Sequence, residues 1–375
     1  MLFLLIFILI YMILIFSFIF GWNKIQDYQI NNQNTSTCIS VIIAVRNESE
    51  NILNILQDVR NQYYDNLKFE VILVNDNSVD DTQIVIENFI KDIKNFRLLN
   101  LTETKSGKKA ALHEGIKIAK YQLIITTDAD CRVGERWLFS IASFYEELKP
   151  KMIVSPVVIC QTFKNFSFTN LQSIEFLSLI SSSAGAIGIN RAIMCNAANL
   201  AFEKEVYEEF ENPLNEKIVS GDDIFLMHNV KRKYPDKVMF LKSKEAVVTT
   251  EAQKSYKEFI NQRIRWTSKS KNYIDFDIIF ASLTVFFANF VILLSLIIAL
   301  FDLNYLLYFF IFFLLKSIPD YIFLKKTSKY FGLKNIDILF FPLQFFYIWY
   351  VIIIAILGFF PKFNWKGREY KKGNI

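Results

Sequence analysis

The stretch Ile39–Val45 reads I-S-V-I-I-A-V and is followed at once by the polar residues R-N-E at 46–48. A run rich in β-branched residues that stops at a polar loop is typical of a strand buried on both faces. Residues 51–61 then carry apolar side chains at helical spacing. The sequence therefore predicts a strand that leads through a polar loop into a helix.

The same alternation continues along the next eighty residues. We predict further strands at 69–74, 97–101 and 123–127, and helices that begin near Thr82, capped by Asp80 or Asp81, and at Lys108. Alternating strands and helices predict an α/β fold with a mostly parallel sheet and helices on both faces, because parallel strands need crossover connections. Ligands of such sheets bind beyond the carboxyl ends of the strands. We therefore look for chemistry at 44–48, 75–78 and 128–130.

The composition indicates that membrane segments flank this soluble part. Of the 375 residues 53% are hydrophobic and 38 are Phe, yet 21% are charged. The first apolar run, 2–20, has the length of about 20 residues needed to cross a bilayer. Lys24 follows it and no small-residue cleavage pattern does, so we expect an uncleaved anchor at 1–22 rather than a signal peptide.

Three further apolar segments occupy the C-terminal part, at 276–301, 303–324 and 336–360. The second is interrupted by Lys316, Pro319 and Asp320, and we expect Lys316 and Asp320 to pair, since they lie four residues apart on a helix. Basic stretches flank the third segment on both sides, at odds with one full crossing between them. Two to three spans over 276–360, one of them re-entrant or interfacial, and a basic tail at 361–375 are the expectation.

Several functional classes are disfavoured by composition. The net charge of +5 is spread along the soluble part and around the apolar segments, as expected beside anionic lipids, so a nucleic-acid partner is not needed to explain it. Four cysteines without C-x-x-C spacing and only two histidines disfavour a zinc site. Reduced thiols in a cytoplasmic domain are the simplest interpretation.

Acidic residues follow two of the predicted strands. Asp128 and Asp130 flank one residue directly after a strand, and two carboxylates so placed suit Mg²⁺ or Mn²⁺, which also bind phosphates. Asp76 lies where a carboxylate would accept hydrogen bonds from a nucleoside. Each has a plainer alternative as a turn residue.

Two later motifs also combine a chemical and a structural interpretation. Asp222 and Asp223 precede a predicted helix, where one acts as a general base or both simply stabilise the helix start. The stretch N-Q-R-I-R-W at 261–266 lies in an amphipathic segment, 251–275, beside the membrane. There Arg265 would neutralise a pyrophosphate and Trp266 would contact a sugar, or both would anchor an interfacial helix.

Taken in order, these motifs resemble the membrane-bound family 2 glycosyltransferases, which include cellulose, chitin, hyaluronan and poly-N-acetylglucosamine synthases and ceramide glucosyltransferase. The matching stretches are V-I-I-A-V-R-N-E at 41–48, V-N-D-N-S-V-D at 74–80, S-G-K-K-A-A-L-H at 106–113, T-T-D-A-D at 126–130, C-N-A-A-N-L-A-F at 195–202, G-D-D at 221–223 and Q-R-I-R-W at 262–266. The resemblance implies a GT-A-type, Rossmann-like catalytic domain at about 23–250. His113 and Asn75 depart from the family pattern.

The resemblance also implies a role for individual residues. The nucleotide-sugar site would comprise Ala44, Arg46, Glu48, Asp76, Lys108 and Asp128, and the metal, Mg²⁺ or Mn²⁺, would be bound by Asp130 with Asp128. Asp223, beside Asp222, would be the catalytic base. Gln262, Arg265 and Trp266 would complete the catalytic set, and Asn199 with Trp266 would lie near the acceptor.

Together these inferences predict an inverting transfer of a sugar from a nucleotide donor, a UDP-sugar by resemblance, in a single displacement. A lipid or lipid-linked acceptor is favoured over a growing polysaccharide, because few membrane segments are present. A non-catalytic membrane protein that keeps a nucleotide-binding fold is the remaining alternative. We expect a multi-pass protein of the plasma (inner) membrane in contact with membrane lipids, with a cytoplasmic catalytic domain; protein partners stay open.

Overall fold

The computed structural model describes residues 2–30, 34–102, 104–162, 167–211, 213–214, 222–359, 362–365 and 368–371. The chain divides into two compact units. The sheet unit comprises Ile25–Val158 and Met194–Glu251, and the helical unit comprises Met1–Lys24, Ile159–Ile193 and Ala252–Ile375.

The helices and strands alternate through most of the sheet unit. In chain order they are β1 (Ile39–Val45), α1 (Ile52–Arg60), β2 (Phe69–Asn75), α2 (Thr82–Ile90), β3 (Phe96–Asn100), α3 (Lys108–Ile118), β4 (Leu123–Asp128), β5 (Cys131–Val133), α4 (Trp137–Leu148), β6 (Met152–Val154), β7 (Val157–Ile159), β8 (Leu200–Glu203), α5 (Lys204–Glu208), α6 (Asp222–Lys233), β9 (Val238–Phe240) and β10 (Val248–Thr250). The predicted strands and helices of the first hundred residues of this unit are confirmed within about two residues.

A seven-stranded sheet in the order β3-β2-β1-β4-β8-β6-β9 forms the core of the sheet unit. Strands β3, β2, β1 and β4 are parallel, while β8 is antiparallel to both of its neighbours. All seven side chains of β2 are buried, as expected for a strand covered on both faces. The prediction of a mostly parallel sheet is confirmed.

Helix α2 begins at Thr82, as the acidic residues of the preceding loop predict. Asp81 occupies the N-cap position but its side chain makes no capping hydrogen bond, whereas Asp80 accepts hydrogen bonds from the backbone N–H groups of Thr82 and Ser49. Partial burial raises the pKa of Asp80, but these bonds and the Thr82 hydroxyl lower it to about 2. The loop after β2 is thereby fixed to the loop after β1.

The helical unit contains α7 (Leu5–Lys24), α8 (Phe168–Gly188), α9 (Tyr256–Ser268), α10 (Phe276–Ala299), α11 (Tyr305–Phe331) and α12 (Ile336–Phe359), here numbered after those of the sheet unit, and the strand pair β11 (Lys362–Trp365) and β12 (Arg368–Lys371). Judged by length and composition, four of the helices in the described part of the chain suffice to cross a membrane: α7, α10, α11 and α12. Helix α11 continues through Pro319 to Phe331, so the expected interruption does not end the helix.

Glycines let α7 and α8 approach closely. A Cβ atom added at Gly188 would lie 2.2 Å from the carbonyl oxygen of Gly21, and one at Gly185 would lie 2.4 Å from that of Phe18. Helix α8, which lies within the predicted catalytic domain at about 23–250, packs backbone to backbone against the N-terminal apolar helix α7. Small residues permit this kind of contact between membrane helices.

Charged residues inside the apolar bundle are paired. Lys316 and Asp320 are buried, and the Lys316 Nζ lies 2.8 Å from the Asp320 Oδ2, as predicted from their spacing. Gln344 hydrogen-bonds to both, and the Tyr11 hydroxyl donates to the Asp320 Oδ1 at 2.6 Å. The bundle therefore satisfies its buried charges internally, as a low-dielectric environment requires.

Candidate functional site

The carboxyl ends of β1, β2 and β4 meet at one edge of the large sheet. The parallel register sets Ala44 of β1 opposite Val74 of β2 and opposite Asp128 of β4. The polar loops that follow these strands consequently lie side by side, where open α/β sheets bind ligands. This edge is the candidate site.

Asp76 links the loop after β2 to the start of α3. Its side chain is 2% exposed, and its Oδ1 accepts a hydrogen bond of 2.9 Å from the backbone N–H of Gly107. Gly107 has a φ of 101°, a conformation that favours glycine. Gly107 is not among the predicted site residues, although a glycine directly before a predicted helix is a recognisable signal for such a position.

Arg46 fixes the same loop from the β1 side. Its Nη1 donates to the carbonyl oxygen of Asp76 at 2.5 Å and to that of Asn77 at 2.9 Å. Asn77 has a φ of 52°, in the left-handed region that Asn tolerates better than most residues. Arg46 and Asp76, predicted to share one pocket, are thus in direct contact.

Lys108 and Asp128 form an ion pair across the edge. The Lys108 Nζ lies 2.5 Å from the Asp128 Oδ1, with 26% and 32% of the two side chains exposed. Lys108 is the first residue of α3, whose N-terminus carries partial positive charge. The N-terminus of α3 therefore contacts both carboxylates, Asp76 through Gly107 and Asp128 through Lys108.

Asp130 follows Asp128 on the open side of the edge and is exposed. Burial raises the pKa of the Cys131 thiol, which follows Asp130, and the nearby charges of Asp128 and Asp130 raise it further. The Cys131 Sγ donates to the Asp130 Oδ1 at 3.8 Å. Among the described residues, no three His, Cys, Asp or Glu side chains form a metal cluster. Two carboxylate ligands suit Mg²⁺ or Mn²⁺ that completes its shell with water and phosphate oxygens, so the donor set fits the predicted metal.

Glu48 has a mainly structural setting. It is buried, its Oε2 accepts from the Asn51 side chain at 2.9 Å, and its backbone N–H donates to the Thr82 hydroxyl at 2.8 Å. These bonds join the start of α1 to the start of α2. A ligand contact for Glu48 stays a prediction.

Asp223 is connected to the same sheet through one intermediate segment. Its Oδ2 accepts from the backbone N–H of Ala197 at 3.2 Å and its Oδ1 from that of Ile224 at 2.9 Å. The carbonyl of Ala197 accepts from the Thr126 hydroxyl of β4 at 2.7 Å, two residues before Asp128. Gly221 and the side chain of Asp222 lie outside the described residues.

Asn199 is fully enclosed. Its Oδ1 accepts from the Trp137 indole at 2.9 Å, and its Nδ2 donates to the carbonyls of Pro156 and Ala246 at 2.8 and 2.7 Å. The side chain is 0% exposed. These contacts tie four segments together, and the acceptor role that the resemblance implies stays a prediction.

The motif residues Gln262, Arg265 and Trp266 lie on α9 in the helical unit, and all three are half-buried. The helix begins with a capping box in which Ser255 and Glu258 bond each other's backbone, a strong start signal. The Trp266 ring lies 6.0 Å from the Phe176 ring. The catalytic roles of these three residues stay predictions.

Comparison with known protein families gives one match. The model described as Glycosyl transferase family 2 matches residues 40–210. Those residues include β1 to β4 and the polar loops at their carboxyl ends, so the match covers the sheet edge described above.

Among similar proteins, glycosyltransferase AglE of Haloferax volcanii is 27% identical over 194 residues, 50% of this chain and 59% of that protein. Poly-beta-1,6-N-acetyl-D-glucosamine synthase of Staphylococcus epidermidis is 34% identical over 159 residues, 40% of this chain and 36% of that protein. Beta-monoglucosyldiacylglycerol synthase of Nostoc sp. is 24% identical over 142 residues, 38% of this chain and 30% of that protein. The chain thus spans well under two thirds of these relatives.

A solved structure resembles nearly the whole chain. Mannosyltransferase PcManGT from Pyrobaculum calidifontis, in complex with GDP-Man and Mn²⁺, has a TM-score of 0.58, covers 94% of this chain and 98% of its own, and is 14% identical. At this level of identity the similarity concerns the fold alone.

Proposed function

We propose that this chain is an inverting glycosyltransferase that uses a nucleotide sugar, best a UDP-sugar, and a lipid or lipid-linked acceptor, and the match of residues 40–210 to the model described as Glycosyl transferase family 2 supports this proposal. The observation that carries the proposal is the linked set at the sheet edge: Asp76 bonded to Gly107, and Lys108 paired with Asp128. A helix N-terminus, a lysine and carboxylates on one edge fit a diphosphate with its metal.

Donor binding follows from these contacts. The Asp76 carboxylate, which also accepts the bond from Gly107, is an acceptor group that suits the imide and ribose donors of a uridine. Arg46 keeps the loop that carries Asp76 in place. Lys108, at the positive end of α3, attracts the phosphates. Ala44 is proposed to line the nucleoside pocket.

The metal belongs to Asp130 with Asp128, whose hard oxygen ligands suit Mg²⁺ or Mn²⁺. When bound there, the ion supplies positive charge that stabilises the departing nucleoside diphosphate.

Asp223 is the proposed general base. Hydrogen bonds from the backbone N–H groups of Ala197 and Ile224 orient its carboxylate. It takes the proton of the acceptor hydroxyl as that oxygen bonds to the anomeric carbon, while the bond from that carbon to the phosphate oxygen breaks. One such displacement inverts the anomeric centre. The contributions of Gln262, Arg265 and Trp266 rest on the resemblance, and alanine substitution of each, read as donor turnover, tests them.

The acceptor is proposed to be a lipid or lipid-linked molecule at the plasma (inner) membrane, with the catalytic domain cytoplasmic. Four helices able to cross a membrane support a membrane setting. One relative is described as a glycolipid synthase and another as a polysaccharide synthase, so a processive polymerase is the second candidate. Size analysis of product from labelled donor separates them, because long polymer would exclude the single-transfer proposal.

The test of the reaction is nucleoside diphosphate release by the detergent-purified chain, with Mn²⁺ or Mg²⁺ and lipid extract as acceptor. The donor panel includes UDP-sugars and GDP-mannose, the latter because it is named for the similar mannosyltransferase. We expect metal-dependent release with one donor, lowered about 10²–10⁴-fold in Asp223→Asn, as for loss of a general base. Asp130→Ala should lose the metal-dependent release. Asp236 is exposed, and Asp236→Ala serves as the matched control. Equal rates in all four proteins would refute the proposal.

A further inference from the structure

A buried ion pair joins the motif helix α9 to α8. Arg263, the residue after Gln262, is 3% exposed, and Glu175 of α8 is 7% exposed. The Arg263 Nε donates to the Glu175 Oε1 at 3.1 Å, and its Nη2 donates to the Oε2. Two parallel bonds between a guanidinium and a carboxylate fix their relative orientation, which one contact does not.

Arg263 also touches two residues of the motif. Its Nη1 donates to the Gln262 side-chain oxygen. Its guanidinium carbon lies 4.3 Å from the centre of the Trp266 ring and 4.4 Å from that of the Phe259 ring. The guanidinium therefore lies over two aromatic rings. Any rotation of it would disturb its contacts with Gln262 and Trp266.

A residue of an apolar helix completes this arrangement. The Tyr350 hydroxyl of α12 donates to the Glu175 Oε1 at 2.9 Å, and its ring lies 5.9 Å from the Phe259 ring. Burial lowers the pKa of Arg263, but the charge of Glu175 and its hydrogen bonds raise it above its ordinary value. The Arg263 guanidinium thus stays charged at physiological pH.

We propose that Glu175, Arg263 and Tyr350 are positioning residues that hold Gln262 and Trp266 in the orientation required for sugar transfer. The proposal rests on the proposed function, because it needs the motif to act in the reaction. A buried ion pair contributes little net stability compared with a well-packed apolar pair. A pair joined by two bonds, whose arginine contacts both motif side chains, instead fixes their geometry. Through Tyr350, the apolar helix α12 takes part in this arrangement.

The test compares initial rates of donor turnover for Glu175→Gln and Tyr350→Phe in the full chain. Glu175→Gln keeps the shape but loses the charge, and Tyr350→Phe removes one hydroxyl. Misplacement of reacting groups by about 1 Å lowers turnover about 100-fold, so we expect kcat to fall up to that extent in Glu175→Gln and less in Tyr350→Phe. The KM for the donor should stay within about twofold of the wild-type value, because these substitutions leave unchanged the interactions that bind the donor equally in the ground state and in the transition state.

Matched controls come from an exposed pair in the same unit. Asp337 accepts from Lys325 and from the Tyr321 hydroxyl, at 2.5 Å each, with the Asp337 side chain 57% exposed. Asp337→Asn and Tyr321→Phe remove equivalent groups and should leave kcat unchanged, since exposed pairs contribute little.

Non-additivity separates positioning from a merely structural role. If Glu175 acts through Gln262 and Trp266, adding Glu175→Gln to the variant Gln262→Ala/Trp266→Ala should not slow donor turnover further. Losses that multiply, a changed donor KM with unchanged kcat, or equal losses in the control variants would overturn the proposal.

Failure of the proposed function has a different signature. If the wild type turns over no donor at all, hydrogen exchange of the backbone amides of 256–268 still tests the positioning. Faster exchange in Glu175→Gln than in Asp337→Asn would support it while the reaction fails, and equal exchange in the two variants would overturn it.

Discussion

Substitution of Asn199 by alanine tests whether this side chain supports the fold or contacts an acceptor. The side chain is 0% exposed and makes three hydrogen bonds, one from Trp137 and two to backbone carbonyls. Asn199→Ala would remove all three bonds and leave the Trp137 indole N–H and the Ala246 carbonyl without this partner, whereas the Pro156 carbonyl keeps the bond from the backbone N–H of Val248. Each such bond contributes about 1 kcal/mol net, and an unsatisfied buried group costs about 1–3 kcal/mol, so the loss is at least about 3 kcal/mol.

This loss is large against the whole stability of a domain, which is typically about 5–15 kcal/mol. For domains of about 150–250 residues, 1 kcal/mol shifts the melting temperature by about 2–4 °C. We therefore expect Asn199→Ala to melt about 6–12 °C below the wild type, measured by tryptophan fluorescence of the purified full chain.

The control is Asn66→Ala, because the Asn66 side chain is exposed, and surface substitutions change stability by less than about 0.5 kcal/mol. A melting temperature of Asn199→Ala equal to that of the wild type, combined with lost sugar transfer, would refute the packing argument. It would favour the acceptor contact that the family resemblance implies.

Three further predictions follow from the fold. Gly188→Leu should prevent α7 and α8 from packing and reduce the yield of folded protein, because its Cβ would lie 2.2 Å from the carbonyl oxygen of Gly21. Lys316→Met should leave the carboxylate of Asp320 buried and unpaired, at a cost of about 3–5 kcal/mol, measured by denaturation in mixed detergent micelles. Asp80→Asn should lower the stability at neutral pH, but the difference from the wild type should vanish as the pH falls from about 4 through the Asp80 pKa of about 2, because a depressed pKa stabilises only the ionised form.

Two substitutions serve as controls for these predictions. A Cβ added at Gly134 meets no atom within 4 Å, so Gly134→Ala should fold like the wild type. Lys325→Met removes a lysine whose side chain is 50% exposed and should change stability little. Loss of folding in either control, or none in Gly188→Leu and Lys316→Met, would contradict the packing described for the helical unit.

Local pattern predicts most of the first half of the sheet unit. Strands such as β1 and β2 are continuous apolar runs that end in polar loops, so periodicity marks both their type and their ends. Comparison with known proteins confirms the predicted GT-A-type fold and the resemblance to family 2 glycosyltransferases. The pairing of Lys316 with Asp320 is also confirmed, because it follows from helical spacing alone.

The remaining features depend on contacts between distant segments. Nothing in the sequence near α8 indicates that Gly185 and Gly188 meet the backbone of α7, about 170 residues earlier. Glu175 and Arg263 appear as isolated charges in the sequence, and only the packing of α8 against α9 pairs them. The three partners of Asn199 likewise come from segments that local pattern does not bring together, and its acceptor role stays a prediction.

The central claim is that the sheet edge at Asp76 binds the nucleoside diphosphate part of the donor. Its most direct test is equilibrium binding of the nucleoside diphosphate, with Mn²⁺, to the wild type, Asp76→Ala and Asp92→Ala. Asp92 is exposed and lies after α2, before β3 begins, at the opposite edge of the sheet. Hydrogen bonds to a charged group contribute about 1.5–3 kcal/mol, so Asp76→Ala should bind at least about 10-fold more weakly, while Asp92→Ala should bind like the wild type. Equal affinity of all three proteins would contradict the account.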